Sequence, residues 1–461
     1  MPQLAAAARL RLQAGDAPGA LECVRAVMRL APHDPDALAV AGEVAAAAGL
    51  EAEAEALLQR ALAADPMLGS AHRGLCDLWG RVLARLAPDL RRKRDLLRTL
   101  HWLSRYAPDC AAAPLLRENL RLREEALAAG RNRWVHADTR ILLHLPPPGA
   151  LRSLIENWAE VLAYGGIPAR LLRREDPTEP VFEQFRPDVF ITLAEPAAQV
   201  GLDRDYIGRY RRAHGLRVGH LTSFRHEYPP CDFLIALGCP ADLPRADGAE
   251  TPLLDMPPAI NPLRHYMRPR AEVWDYAFVG DNTPQTVERV KACLLPVLRL
   301  YSGVLAGRGW DIGLGELHQA EEAVLFNFAR VCPNLPLPGP SWESFAANLR
   351  ALAIPACGGF ALTDNTAFGG AFFAPDETAA ADSPGRFVEM FDYFRNHPDQ
   401  RLPIIRAGME RVYREHTLFH RMDLLLAFLG CRGGSLRRER QPVPPWEESA
   451  TRPVTWADRL T

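Results

Sequence analysis

Up to residue 66 the apolar positions fall at helical spacing, and the pattern repeats at an offset of 34. Leu4 pairs with Leu38, Ala8 with Gly42, Gly15 with Gly49, Ala20 with Ala54, Val24 with Leu58, Val27 with Ala61 and Pro32 with Pro66. A helical hairpin explains these residue types. Small side chains at Ala8, Ala20, Gly42 and Ala54 let antiparallel helices approach. Gly15 and Gly49 close the first helix of each pair, and Pro32 and Pro66 stop the second. A degenerate third unit follows over 71–108, with an insertion around Arg91-Arg92-Lys93-Arg94, and a last helix is predicted over 114–129. After Arg131 short apolar runs alternate with amphipathic stretches, which predicts an α/β fold. Strands are expected at 140–145, 188–193, 217–221 and 233–237, with a helix over 151–164 closed by Gly165-Gly166. A second series comprises strands at 276–280, 304–307 and 359–363, with a helix over 287–300. Between the two series, Met256-Pro257-Pro258-Ala259-Ile260-Asn261-Pro262 favours an extended connection. Two α/β lobes joined this way leave a ligand cleft between the strand C-termini.

Composition narrows the classes. With 48% hydrophobic and 24% charged residues in 461, the chain is built as a folded, multidomain protein. Its 54 basic and 56 acidic residues nearly balance, so nothing draws it generally to nucleic acid or an anionic membrane, and an anion site must be local. Nine cysteines without a C-x-x-C pair suit reduced thiols, with neither a disulfide framework nor a metal site expected. Arg9 and Arg11 interrupt any leader-like pattern, and no run of apolar residues is long enough to span a membrane. A cytoplasmic location is expected.

The N-terminal pattern, with its Leu-Ala-Pro and Ala-Asp-Pro endings, resembles the tetratricopeptide repeat family. That resemblance implies a concave surface that recruits a protein or peptide. The alternative reading of the same residues is a packing arm or dimerisation element for the domain behind it. The Arg91–Arg94 cluster reads as a solvated helix face.

Chemistry is carried by three stretches. Tyr276-Ala-Phe-Val-Gly280-Asp281-Asn282 runs an apolar strand into a glycine turn, and Leu305-Ala-Gly307-Arg-Gly309-Trp310 repeats the arrangement; such turns let backbone amides approach a phosphate or serve as ordinary strand ends. In the third, over 341–364, Ser341 caps a helix that ends at Cys357-Gly358-Gly359 and leads into a strand. Its N-terminus offers unpaired amides and a positive dipole end to a diphosphate, without a metal.

This third stretch, with Tyr393-Phe394, Arg401, Ala407-Gly408 and the run from Arg411 to Arg421, resembles the C-terminal lobe of spore-maturation CgeB-type glycosyltransferases. That family's pattern is N-x-R-x-F-E-I-P-A-C-G-G-F-x-L-T-D, followed by a helical segment ending in H-T-x-x-x-R. Here it meets Asn348, Arg350, Ile354 to Phe360, Leu362 to Asp364, His416, Thr417 and Arg421. The resemblance implies an α/β GT-B fold, two Rossmann-like lobes preceded by the all-α tetratricopeptide-like array. It divides the chain into an array at 1–130, an acceptor-side lobe at 138–265, a nucleotide-sugar lobe at 266–430 and a tail at 431–461. It implies transfer of a sugar from a nucleotide-sugar donor to an acceptor, with no metal or other cofactor, and a protein acceptor recruited by the repeats. Carried over by position, Gly280, Asn282, Gly307, Gly309, Ser344, Asn348, Arg350 and Gly358 form the donor-binding set. Arg350 fits a diphosphate by its permanent charge and forked donors, and fits a surface salt bridge as well.

The family's helix glutamate, which accepts the ribose hydroxyls, falls on Ala353, and the aromatic beside it is Leu352. Losing a charged acceptor costs about 1.5 to 3 kcal/mol of binding. Glu343 reads as a first-turn carboxylate rather than a substitute. The alternative function is therefore a non-catalytic scaffold with a degenerate GT-B domain. For a catalytic pair, His226 and Glu227 lie on the loop after the 217–221 strand, with His220 and His144 as further candidates. His416 fits either the donor site or the cap of the preceding helix.

Overall fold

A computed structural model describes residues 2–65, 68–71, 74–75, 78, 113–147, 150–194, 199, 201–222, 230–237, 251–267, 272, 274–284, 286–311, 313–317, 319–336, 342–364 and 372–431. The N-terminal pattern folds as two helical hairpins, α1 (Pro2–Gln13) with α2 (Ala17–Leu30) and α3 (Pro35–Ala47) with α4 (Glu51–Ala64). Asp16 caps α2 by accepting from Gly19 N at 2.9 Å, and Asp34 caps α3 by accepting from Ala37 N at 2.8 Å. Gly15 and Gly49 both sit in the left-handed region, at φ +78° and +79°. A Cβ at Gly42 would lie 2.5 Å from Leu58 Cγ, so only glycine lets α3 and α4 meet there. Arg9 of α1 reaches Glu43 of α3 at 2.9 Å, tying the hairpins at positions 34 residues apart. The third unit lies mostly outside the described residues, including Arg91–Arg94.

The first lobe is a six-stranded, all-parallel sheet in the order β2-β1-β3-β4-β5-β6. Its strands are β1 (Ile141–His144), β2 (Ala169–Leu172), β3 (Val189–Leu193), β4 (Arg217–Thr222), β5 (Phe233–Ala236) and β6 (Leu253–Asp255). One face carries Leu142, Phe190 and Val218 against α7 (Thr178–Phe185) and α8 (Arg204–His214). The other carries Leu143, Ile191, Phe233 and Ile235 against α6 (Ala150–Tyr164), whose Trp158 is fully buried. β2 and β6 do not stand out in the hydrophobic pattern, being short and half-polar edge strands.

The second lobe is a five-stranded parallel sheet ordered β11-β10-β9-β7-β8. β7 (Trp274–Val279) leads through α9 (Val287–Arg289), a π-helical turn (Val290–Leu294) and α10 (Leu295–Leu300) to β8 (Gly303–Ala306). The turn precedes Pro296, which has no N–H to continue an α-helical ladder. α11 (Gln319–Asn327), β9 (Ala329–Asn334), α12 (Trp342–Ala356), β10 (Ala361–Thr363), β11 (Ala379–Ala380), α13 (Pro384–Asn396) and α14 (Pro398–Glu415) complete the lobe. β9 is central, yet contains Pro333. Its last ladder partner on β7 is at Val331, and Pro333, which has no N–H, cannot carry the ladder further.

Two elements join the lobes. α5 (Ala113–Gly130) buries Leu115, Leu116 and Leu122 in the core of the second lobe and packs Leu127 against that of the first. Its buried Asn119 donates to Ala356 O at 2.8 Å and accepts from Met267 N at 2.8 Å. At the other end α15 (Leu418–Phe428) crosses back, placing Phe419, Met422, Leu425 and Leu426 in the core of the first lobe. The crossing is pinned to the extended connection: Ile260 N donates to His416 O at 2.9 Å and Leu418 N to Ile260 O at 2.8 Å. Among the described residues, no helix is long and apolar enough to cross a membrane.

Candidate functional site

In the second lobe the strand order reverses between β7 and β9, and ligands of open α/β sheets bind at such points. β7 and β8 end side by side, and the turns beyond them interlock. Asp281 accepts from Arg308 N and Nε, both at 2.8 Å; Trp310 Nε1 donates to Gly280 O at 2.7 Å. Asn282 donates from its backbone N to Arg308 O at 2.8 Å and from Nδ2 to Gly309 O at 3.2 Å. Gly307 and Gly309 have φ of +128° and +76°, and a Cβ on either would run into the carbonyl of Gly280 or Asn282. The close approach of two turns therefore suffices to require these glycines. The result is a rigid floor beside the crevice, with Asn282 Oδ1 buried and unpartnered.

α12 opens on the same side of the sheet, its N-terminus at Trp342 and its end closed by Gly358 at φ +73°. Ser344 and Asn348 lie on this helix; their side chains, and Ser341, are outside the described residues. Arg350 is paired with Glu322 of α11, Nε and Nη2 donating at 3.3 and 3.2 Å, so its charge is already met within the lobe. Leu352 and Ala353 are buried in the core, Ala353 being 3% exposed. Beside the crevice Arg289 donates to Asp364 at 2.8 and 2.5 Å and also to Pro336 O, stitching the ends of β9 and β10 together. Burial raises the Asp364 pKa, and the Arg289 guanidinium opposes the rise. Neither Arg289 nor Asp364 belongs to the donor set drawn from the sequence.

His226 and Glu227 lie outside the described residues. The other two candidate histidines, His144 and His220, are brought into one row. Register places His144 of β1 beside Thr192 of β3, and Thr192 beside His220 of β4, at the C-terminal end of the sheet. His144 Nδ1 is 2.9 Å from Thr192 Oγ1, whereas His220 Nδ1 is buried without a partner. Burial pushes both imidazoles down to about 4, so both are neutral at neutral pH. They can bind a hydroxyl there but are weak proton acceptors.

His416 is at the hinge between the lobes. Its backbone N caps α14 on Val412 O at 2.8 Å, and its Nδ1 accepts from Arg421 at 3.0 Å. Arg421 also donates to the carbonyls of Pro257, Pro258 and Glu415 at 3.0 to 3.1 Å. The H-T-x-x-x-R run thus holds the inter-lobe crossing together, and burial pushes the His416 pKa to about 3. For His144, His220 and His416 the folded pKa lies below the ordinary 6.5. Between about pH 6.5 and 4 the unfolded chain therefore binds more protons, and stability is lost as pH falls through that window. Each group contributes up to about 3 kcal/mol to the loss. His220→Leu is expected to flatten the fall of melting temperature over this range; an unchanged acid limb would contradict it.

Residues 289–427, from Arg289 through α15, match the family model described as glycosyl transferase-like. No curated protein sequence matches the chain. Among solved structures the chain is similar to the O-GlcNAc transferase of Thermobaculum terrenum, at 13% identity over 94% of this chain and 98% of that one, with a TM-score of 0.35. The sucrose-phosphate synthase of Thermosynechococcus elongatus aligns at 13% identity over 63% and 99%, TM-score 0.46. T4 phage BGT, in complex with its UDP-glucose substrate, aligns at 9% over 63% and 98%, TM-score 0.44. The two-lobed GT-B architecture stands on the strand orders, and the glycosyl transferase-like match falls on the second lobe and α15.

Proposed function

We propose that the chain is a glycosyltransferase that takes a sugar from a nucleoside-diphosphate donor held in the second lobe and passes it to a protein acceptor. The carrying observation is that the glycosyl transferase-like match falls on the lobe whose strand order reverses between β7 and β9, with the N-terminus of α12 at the same, C-terminal end of the sheet. In this reading the α12 N-terminus and the turns at Gly280–Asn282 and Gly307–Gly309 receive the diphosphate. Ser344 and Asn348 line the same helix, and Gly358 closes it. Arg350 acts through Glu322 as a brace between α11 and α12. The leaving nucleotide is stabilised by oriented amides in place of a metal. The neutral row His144–Thr192–His220 faces the acceptor side, with His226 and Glu227 as the catalytic pair. The hairpins α1–α4, tetratricopeptide-like by their 34-residue period, recruit the acceptor.

A second reading, a scaffold that no longer binds donor, is favoured by buried Ala353 and by the internal pairing of Arg350. Thermal shift of the full chain against uridine, guanosine, adenosine and thymidine diphosphates separates the two, because specific binding raises the melting temperature. At 100 times its Kd a ligand adds about 2.7 kcal/mol. A response to one nucleotide supports the transferase, and no response to any supports the scaffold. Ala353→Glu buries a carboxylate in an apolar core and is expected to lower the melting temperature.

A further inference from the structure

We propose that Asn334, the last residue of β9, is a contact to the diphosphate of the bound nucleotide. Asn334 is only 3% exposed, and its Nδ2 has no hydrogen-bond partner. A buried amide donor left unpaired costs about 1 to 3 kcal/mol, so its persistence calls for a compensating use.

Its direction follows from strand parity. Cys332, two residues earlier, lies 3.8 Å from Phe326 O of α11, which fixes this face of β9 as the one covered by α11 and its neighbour α12. Asn334 shares that face at the C-terminal end of the strand, where residues 335–341 lead to the N-terminus of α12. The strand order reverses between β9 and β7, so this is also the end of the sheet at which a ligand is expected. Its register neighbour, Thr363 of β10, is buried as well and already engaged. The unpaired N–H of Asn334 and the first-turn amides of α12 belong to two elements at the same end of the sheet, and both are donors. A group that only accepts is the match. In a nucleotide sugar that group is the diphosphate, because ribose, base and sugar each present donors as well.

This assignment rests on the reading of the second lobe as the donor lobe. It distinguishes Asn334 from a residue of purely structural value, because removing an unpaired buried polar group in favour of an apolar one of similar size is neutral or stabilising.

The test uses the full chain and Asn334→Leu, with the four nucleoside diphosphates and their parent nucleosides as calorimetric probes and the melting temperature of the ligand-free proteins alongside. Asn334→Leu is expected to raise the Kd of the bound diphosphate about 10-fold, equivalent to one lost hydrogen bond. The Kd of the matching nucleoside, which carries no phosphate, should be unchanged, and the ligand-free melting temperature equal or higher. Equal diphosphate affinity in both proteins, or equal loss for nucleoside and diphosphate, overturns the contact. A lowered ligand-free melting temperature overturns it too, by making Asn334 structural. If the wild-type chain binds none of the nucleotides, the donor-lobe reading fails first, and this contact with it.

Discussion

A chain that begins at Arg131 is expected to show no cooperative thermal transition, whereas one that begins near residue 111 keeps it. α5 belongs to the helical series by its pattern, but its side chains complete two other cores. Leu115, Leu116 and Leu122 are each less than 10% exposed in the second lobe, and burying each is worth about 1.5 to 3 kcal/mol. Without Asn119, Met267 N loses its partner in the interior and Ala356 O keeps only the Tyr413 hydroxyl, at 3.4 Å. Arg123 also donates to Pro262 O at 2.9 Å, bracing the connection between lobes. Together these losses approach the whole stability of a typical domain, about 5 to 15 kcal/mol. Circular dichroism of the two truncated chains on heating decides the matter; matching midpoints would reduce α5 to an accessory.

Arg401→Met is expected to cost about 3 to 5 kcal/mol in denaturant titration, the largest loss from a single side chain. Arg401 is 2% exposed, and its Nη2 donates to both carboxylate oxygens of Glu272 at 2.7 and 2.8 Å. Its Nη1 donates to the carbonyls of Phe394 and Arg395 at 2.8 and 3.2 Å. The damage lies in what remains, two carbonyls at the junction of α13 and α14 and a Glu272 carboxylate left with the more distant Arg330, at 3.8 Å. Replacing Glu272 with Leu as well removes that weakly compensated charge and should recover part of the loss. A single variant within 1 kcal/mol of wild type, as for exposed pairs, would refute this account.

The hydrophobic pattern carried the strands whose two faces are both buried. β1, β3, β4, β5, β7, β8 and β10 lie within a residue or two of their expected places. β9 was not legible because Phe328 alone separates it from α11 and because Pro333 argues against a central strand. That one omission hid the place where the strand order of the second sheet reverses, and with it Asn334, which sits in no motif. The glycines of the β7 and β8 turns were legible as a pair, but spacing cannot say that Gly307 and Gly309 are needed by the carbonyls of Gly280 and Asn282. The partner of Arg350 was equally hidden, since Glu322 lies on a different helix, 28 residues earlier. Thr192 became visible only through the register that sets it between His144 and His220.

The return of α15 to the first lobe has a consequence for how the chain is made. The sheet face bearing Leu143, Ile191, Phe233 and Ile235 is sealed by Phe419, Met422, Leu425 and Leu426, which are synthesised after the whole second lobe. At about 5 to 20 residues per second, the first lobe waits on the order of ten seconds or more with an apolar surface open to water. During that interval it is a binding surface for chaperones and for other nascent chains. The first lobe to emerge from the ribosome is therefore the last to be finished.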